Sequence, residues 1–278
     1  MVQIEFLLPL QGDDADAALI RSTISLAHKH NGVVAAVMAQ NNPMSMMAWP
    51  SDGSFITASA SLMDMATQGN DEAWQKLQAT VMDIAKSEPD LTIERLVGPP
   101  ETLLARRGSL SDVAVFSCES ARGKSGASSL FTALLMDARS PVLVLRGASM
   151  PSFDKIALAW DGGLEAARAA KASLPFLKSA NAVVIMQAPE AVDEIDLSLS
   201  DPQRLVTWLA RHDITATIEN VQASKDPAHD ILMSCATLQI DLLVSGAFGH
   251  SRARQFIFGG VTRTLVTTTT SPSLLLCH

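Results

Sequence analysis

The chain has 278 residues, of which 47% are hydrophobic and 18% are charged, and its formal net charge is −8. This composition excludes a disordered chain and supplies enough apolar residues for a buried core. The negative charge argues against nucleic acid and against an anionic membrane surface as partners. No apolar run of 18 residues occurs, so no transmembrane helix is expected.

The chain begins with an apolar run, Ile4–Leu8, which predicts a first strand rather than a signal peptide. Asp13, Asp14 and Asp16 follow it. They are compatible with a cation site, but acidic residues at a helix start are a sufficient explanation. Residues 41–70 are rich in Met, Ser, Asn and Pro with little periodicity. This predicts a long loop, with or without a short helix.

Two segments of the first half recur about 130 positions later in the second half. Ser140–Arg146 recurs as Ser271–Cys277, and Ser111–Ser117 recurs as Ile240–Gly246. The opening strand recurs at a larger offset, so the first half has about 20 extra residues near its middle. The chain is therefore predicted to contain two similar halves.

The small-residue linker Gly147–Pro151 is predicted to separate a domain at 1–147 from a domain at 152–278. Within each half, apolar runs alternate with helical patterns, which predicts an α/β fold with two tandem doubly wound, mostly parallel sheets. The strands predicted for the second half are 155–160, 182–187, 215–221, 241–245 and 272–277. The helices predicted between them are about 164–178, 201–212, 227–238 and 258–268.

A glycine-rich segment follows the strand at 241–245 with the spacing Gly-x2-Gly-x9-Gly, at Gly246, Gly249 and Gly259. Glycines let the backbone turn at positive φ and let phosphates approach bare N–H groups. Gly259 and Gly260 precede a predicted helix, whose N-terminus favours an anion. Three arginines lie nearby, namely Arg252, Arg254 and Arg263. The pattern therefore indicates a phosphate site, and a purely structural loop is the alternative.

His250 within this loop has two interpretations, a donor to phosphate or a solvated loop residue.

The three cysteines are odd in number and lack metal-ligand spacing, which excludes a disulfide framework and a standard zinc site. Cys118, Cys235 and Cys277 are expected to be buried thiols in a reducing cytoplasm, so a cytoplasmic location is predicted.

Here the sequence resembles the universal stress protein family. The resemblance is carried by the glycine loop, by the Asp-Leu-Leu-Val-Ser strand at 241–245, by the final Ser-Pro-Ser-Leu-Leu-Leu strand and by Ala159–Gly162. It covers residues 153–278 well and residues 1–146 in layout only. The whole chain thus looks like a tandem, two-domain member of the family.

The resemblance implies a Rossmann-like, adenine nucleotide α-hydrolase-like fold with a five-stranded sheet in each domain. It also implies that the second domain binds ATP or another adenine nucleotide. Asp161 would lie beside the adenosine, and Ile185 or Met186 near the base. The phosphates would lie in the glycine loop formed by Gly246, Gly249 and Gly259.

One residue departs from the family pattern, which has Ser or Thr directly after the last glycine of the loop. This sequence has Gly260 there, so the hydroxyl that would bond a terminal phosphate is missing. Triphosphate affinity is therefore in question, although the loop itself is intact.

The first half has serine at the positions of the loop glycines: Ser117, Ser120 and Ser128-Ser129. Serine at positive φ is strained, so the loop must follow another path. Gly123-Lys124-Ser125 matches only three residues of a P-loop and is not interpreted as one. Arg122 and Lys124 could attract an anion, but a solvated basic loop is the default interpretation.

These features predict a stress-response protein whose second domain binds nucleotide and whose first is structural or regulatory. A scaffold that binds no nucleotide is the alternative, and an enzyme of the related nucleotide superfamily is disfavoured because its loop motifs are missing. No catalytic residue is predicted, and at most weak ATP hydrolysis is expected. By resemblance, Val142–Leu145 and Leu274–Cys277 would pair within the chain as a pseudo-dimer, and a homodimer is also plausible.

Overall fold

The computed structural model describes residues 3–43, 60–122, 128–147, 151–187, 197–221, 226–247, 260–268 and 272–278. These residues form two compact units, Met1–Ala114 and Val115–His278. No helix within the described ranges is long and apolar enough to cross a membrane.

The first unit contains a parallel sheet with the strand order β3-β2-β1-β4. Strand β4 begins in this unit and ends in the second. Helices connect the strands, as parallel strands require. The elements in chain order are β1 (Ile4–Pro9), α1 (Asp16–Lys29), β2 (Gly32–Gln40), α2 (Ala60–Ala85), β3 (Leu91–Val97), α3 (Pro100–Gly108) and β4 (Val113–Ser117).

The second unit starts with helices α4 (Cys118–Ala121) and α5 (Ser128–Thr132), then a π-helical turn at Ala133–Asp137. Its sheet has the order β5-β10-β9-β6-β7-β8, in which only the β5–β10 pair is antiparallel. The remaining elements are β5 (Val142–Leu145), β6 (Lys155–Ala159), α6 (Leu164–Ala172), α7 (Leu174–Leu177), β7 (Ala182–Gln187), α8 (Leu197–Ser200), α9 (Pro202–Ala210), β8 (Ala216–Asn220), α10 (Pro227–Leu238), β9 (Leu242–Gly246), α11 (Gly260–Thr267) and β10 (Ser273–Cys277).

The continuous apolar strands are buried on both faces, as a helix-covered parallel sheet requires. Residues Leu242–Val244 of β9 and Leu274–Leu276 of β10 are at most 1% exposed. Phe153 and Phe176 pack edge to face in the same unit, with ring centroids 5.7 Å apart. The predicted α/β class and the order of elements in the second half are confirmed.

The prediction of a long loop at 41–70, with or without a short helix, is wrong in its extent from Ala60 onward, where the 26-residue helix α2 begins. The side chains from Asp64 to Gln68 are exposed, so this stretch of α2 buries little apolar surface. A helix face without burial leaves no apolar periodicity in the sequence, which explains the error. Residues 44–59 lie outside the described part of the chain.

The predicted pairing of Val142–Leu145 with the last strand is confirmed. Leu274 lies opposite Val144, and Leu275 opposite Leu143, in an antiparallel ladder. Because this ladder joins β5 to the second unit, the compact units divide the chain at Ala114 rather than at the linker 147–151. The boundaries 1–147 and 152–278 remain a prediction about the repeat.

Candidate functional site

The order of the second sheet reverses at β6, which has β7 on one side and β9 on the other. In open α/β sheets, ligands bind outside the carboxyl ends of the strands at such a switch point. The carboxyl ends of β6 and β9 lead to Asp161 and to Gly246, respectively. Two predicted site residues therefore lie at the expected crevice, which we call the β6–β9 crevice.

The turn after β6 is built by Asp161, Gly162 and Gly163. The Gly163 N–H donates to Asp161 Oδ1 at 2.8 Å, and Gly162 has a φ of +81°. Gly163 is the N-cap of α6 and has no side chain to bond the first-turn N–H groups. The amino end of α6 therefore has peptide donors suited to an anion.

Helix α8 packs closely over this turn. A Cβ on Gly162 would lie 2.5 Å from Ser200 Cα and 2.8 Å from Leu199 O. The Ser200 carbonyl accepts from Trp160 Nε1 at 3.1 Å and from Gln187 Nε2 at 2.7 Å. These contacts fix α8 against the ends of β6 and β7, so the turn is rigid on that side.

Ile185 and Met186 lie on β7, next to β6, but their side chains are 0% and 1% exposed. The Met186 carbonyl accepts from Trp160 N, and its sulfur lies 4.0 Å from the Cys235 sulfur. Both side chains therefore belong to the core. At the end of the strand, Gln187 is the half-buried residue.

Gly246 ends β9 directly against the first turn of α6. A Cβ there would lie 2.7 Å from Ala166 N and 2.9 Å from the Glu165 carbonyl carbon. A glycine is thus required for packing, a role that the spacing of the loop did not reveal. The next residue, Ala247, is anchored because its N–H donates to Cys277 O and its carbonyl lies 3.0 Å from His278 Nδ1.

The remaining predicted loop residues fall mostly outside the described part of the chain: Gly249, His250, Arg252 and Gly259. Gly260 is described as the first residue of α11. The structure therefore brings Asp161, Gly246 and the amino end of α6 to one crevice.

The corresponding position in the first half carries Ser117 in place of Gly246. Gly246 is not among the residues with a positive φ, so the predicted strain on a serine does not arise at this position. Helix α4 begins immediately after β4, with Ser117 as its N-cap at a φ of −74°. Ser117 Oγ accepts from Ser120 N at 3.1 Å and lies 2.8 Å from Ser120 Oγ. The two hydroxyls therefore hydrogen-bond to each other, and Ser117 also caps the first turn of α4 by accepting from a backbone N–H. Gly123-Lys124-Ser125 lies outside the described residues.

The turn after β1 also differs from the turn after β6. Asp16 Oδ2 accepts from the N–H groups of Gln11, Gly12 and Asp13 at 3.3, 2.7 and 3.2 Å. The residue four positions after Gly12 is Asp16, whereas the residue four positions after Gly162 is Ala166. The first unit thus fills its turn with its own carboxylate.

The other acidic residues at this helix start also have local partners. Asp13 Oδ1 accepts from Ala15 N and Asp16 N, and Asp14 pairs with Lys76 at 2.7 Å. The described residues contain no His, Cys, Asp and Glu group suited to a metal. These contacts support the helix-start interpretation.

Burial raises the pKa of the Asp16 carboxyl to about 6, outweighing the hydrogen bonds from Gly12, Gln11 and Asp13 that lower it; the charge of Asp13 raises it further. The folded state therefore binds this proton more tightly than the unfolded chain, whose carboxyl titrates near 3.8. Its contribution to stability is fully present below pH 4 and falls as the pH rises to 6.

We expect the wild type to lose stability relative to Asp16→Asn as the pH rises. The difference between their free energies of unfolding should fall by up to about 3 kcal/mol between pH 4 and pH 7. Urea denaturation at several pH values measures the difference. Asp14→Asn is the control and should keep the wild-type fall, because it changes a surface carboxylate of the same turn. A difference that is flat or rises with pH would refute the assignment.

Comparisons with known proteins agree with this architecture. Residues 152–276 match the universal stress protein family. A universal stress protein from Archaeoglobus fulgidus DSM 4304 is similar with a TM-score of 0.65 and 16% identity, over 98% of this chain and 95% of that chain. A putative universal stress protein from Pseudomonas aeruginosa UCBPP-PA14 has a TM-score of 0.57 and 14% identity, over 99% and 93%.

A further solved structure, of a functionally unknown protein from Pseudomonas aeruginosa PAO1, has a TM-score of 0.58 and 14% identity, over 99% of this chain and 92% of that chain. At such identities the similarity shows the fold alone. A search of curated proteins gives no match.

Proposed function

We propose that residues 152–276, which match the universal stress protein family, form a domain that binds an adenine nucleotide at the β6–β9 crevice. The observation that carries the proposal is the meeting of Gly246 with the uncapped first turn of α6. That meeting places a glycine loop and a helix amino end at one switch point, where both supply peptide N–H donors to an anion.

Asp161 is proposed to contact the nucleoside. Its Oδ1 holds the turn through Gly163, while the second carboxylate oxygen has the chemistry to accept from a ribose hydroxyl or from the adenine amine. Because Ile185 and Met186 are in the core, we assign them the support of β7 beneath the base rather than a side-chain contact with it.

The phosphates are proposed to lie along the glycine loop, held by the peptide N–H groups of Gly246, Gly249, Gly259 and Gly260. Arg252 and His250 would add charge and a further donor. Gly260 supplies no hydroxyl, so a weakened hold on the terminal phosphate follows. We therefore expect the affinity for ADP to approach that for ATP.

The first half of the chain, residues 1–147, is proposed to be structural or regulatory, because Asp16 occupies the turn after β1 and serines close the end of β4. Cytoplasmic residence is proposed from the cysteines, none of which forms a disulfide. The alternative function is a stress-response scaffold without nucleotide, which the glycine at position 260 favours.

The test is titration calorimetry with ATP and ADP on the full chain, preceded by analysis of nucleotide that co-purifies with it. We expect the wild type to bind both nucleotides. Gly260→Ser should bind ATP about tenfold or more tightly than the wild type, because a hydroxyl hydrogen bond to a charged phosphate contributes about 1.5–3 kcal/mol.

Val261→Ser is the matched control, since it adds a hydroxyl one position later on the same helix at an exposed residue. It should leave the ATP affinity unchanged. Gly246→Val is unsuitable as a loss-of-binding variant, because its side chain would strike the backbone of α6. No heat and no co-purified nucleotide for either the wild type or Gly260→Ser would favour the scaffold.

A further inference from the structure

Two arginines lie side by side in the second unit, on elements that do not form the β6–β9 crevice. Arg122 caps the end of α4, and Arg146 follows β5. Arg146 Nη2 donates to Leu265 O, and Arg122 Nε donates to Val266 O at 3.5 Å. Because these two carbonyls are consecutive in α11, the two guanidinium groups are neighbours.

Several donors of this pair have no use within the described residues. Arg122 Nη2, Arg146 Nε and Arg146 Nη1 are buried and have no hydrogen-bond partner there. None of the ion pairs found among those residues includes either arginine. The pair therefore offers three buried donor nitrogens and two positive charges without a carboxylate.

Such an arrangement is costly unless an anion completes it, because buried charges are normally paired and hydrogen-bonded. Burial lowers the pKa of Arg146, the electrostatic interaction and the side-chain hydrogen bond with Cys118 raise it by less, and the charge of Arg122 lowers it further. The last carbonyls of α11 offset part of the positive charge. They leave the three donors above unused.

We propose that Arg122 and Arg146 bind a phosphate group, at a site distinct from the β6–β9 crevice. The planar guanidinium presents paired donors that match the oxygens of an oxyanion. Both residues are half-buried, while the three donor nitrogens themselves are buried. The default interpretation of Arg122 as part of a solvated loop is therefore replaced.

The first test compares the thermal stability and the calorimetric binding of inorganic phosphate with chloride at equal ionic strength. Phosphate should raise the Tm of the wild type, and Arg122→Met should weaken phosphate binding about tenfold or more, because two charge-assisted hydrogen-bond partners become one. Arg168→Met is the matched control. Arg168 pairs with Glu165 on α6 at the surface, so its loss should leave the phosphate response intact.

Loss of folding cannot mimic this result. Arg122→Met removes a buried, unpaired charge, so its Tm without phosphate should equal or exceed that of the wild type. A second readout is the alkylation of Cys118, which is half-buried, whereas Cys235 and Cys277 are buried. Phosphate should slow alkylation of Cys118 in the wild type and not in Arg122→Met.

An AMP titration distinguishes a nucleotide phosphate from free inorganic phosphate as the ligand of the arginine pair. If Asp161→Asn still binds AMP and Arg122→Met does not, the arginine pair holds a nucleotide phosphate. If Arg122→Met loses affinity for inorganic phosphate but not for AMP, the pair holds the free ion. Equal phosphate responses in the wild type and Arg122→Met, or no response in the wild type, would overturn the proposal. In that case AMP binding lost only in Asp161→Asn would leave the nucleotide proposal standing.

Discussion

Replacement of Gly162 by Ala is expected to lower the free energy of unfolding by about 3 kcal/mol or more. The added Cβ would meet backbone atoms of α8 at 2.5 Å and 2.8 Å, and the residue has a φ of +81°. Overpacking against a rigid backbone costs about 1–3 kcal/mol, and the left-handed conformation adds about 1 kcal/mol. Gly12→Ala should behave alike, since its Cβ would lie 2.4 Å from Ala73 O at a φ of +82°.

Two other glycines separate the two causes. Gly147 has a φ of +86° with nothing within 4 Å, so Gly147→Ala should cost only about 1 kcal/mol. Gly69 lies in α2 with nothing within 4 Å, so Gly69→Ala should be neutral or stabilise by up to about 1 kcal/mol. Urea denaturation of the four variants measures the series. Equal losses of unfolding free energy for Gly162→Ala and Gly147→Ala would contradict the close contact of α8 with the turn at Gly162.

The β5–β10 ladder provides the second large effect. Leu143 and Leu275 lie directly opposite each other and are both fully buried. Each replacement by Ala is expected to lower the free energy of unfolding by about 2–5 kcal/mol, through lost transfer energy and the cavity left behind. The double variant should deviate from the sum of the two losses by about 0.5 kcal/mol or more, because the residues share one contact region.

Leu110→Ala is the matched control for this pair. Its side chain is 92% exposed, so its loss should change stability by less than about 0.5 kcal/mol. Denaturation of the two single variants, the double variant and the control completes the cycle. Strict additivity with small single effects would mean that β5 and β10 do not pair in solution.

Much of the second unit could be predicted from its sequence, because its elements carry the periodicity of their burial. Helix α10 begins and ends where the pattern places it, at Pro227 and Leu238, with Ile231 and Cys235 in the core. Strands β7 and β10 were evident as continuous apolar runs bounded by turns. Buried β5 could be matched to β10 because a short motif repeats.

Other features depend on contacts between residues distant in sequence, which no local pattern encodes. Gly246 is a member of the loop motif, but its packing against Ala166 follows only from the position of α6. Arg122 has the appearance of a loop residue until Val266 is brought to it. The side chains from Asp64 to Gln68 of α2 are exposed, so burial imposes no apolar stripe there from which the full helix could be predicted.

The most direct test of nucleotide binding at the β6–β9 crevice is an ATP titration of the isotope-labelled full chain, followed by amide NMR. Saturable shifts are expected at the amides of Gly162, Gly163, Gly246 and Gly260. The amides of Gly12 and Asp13, which bond the Asp16 carboxylate, should not move. An unchanged spectrum at the four crevice glycines, or shifts confined to the first unit, would contradict nucleotide binding at this crevice.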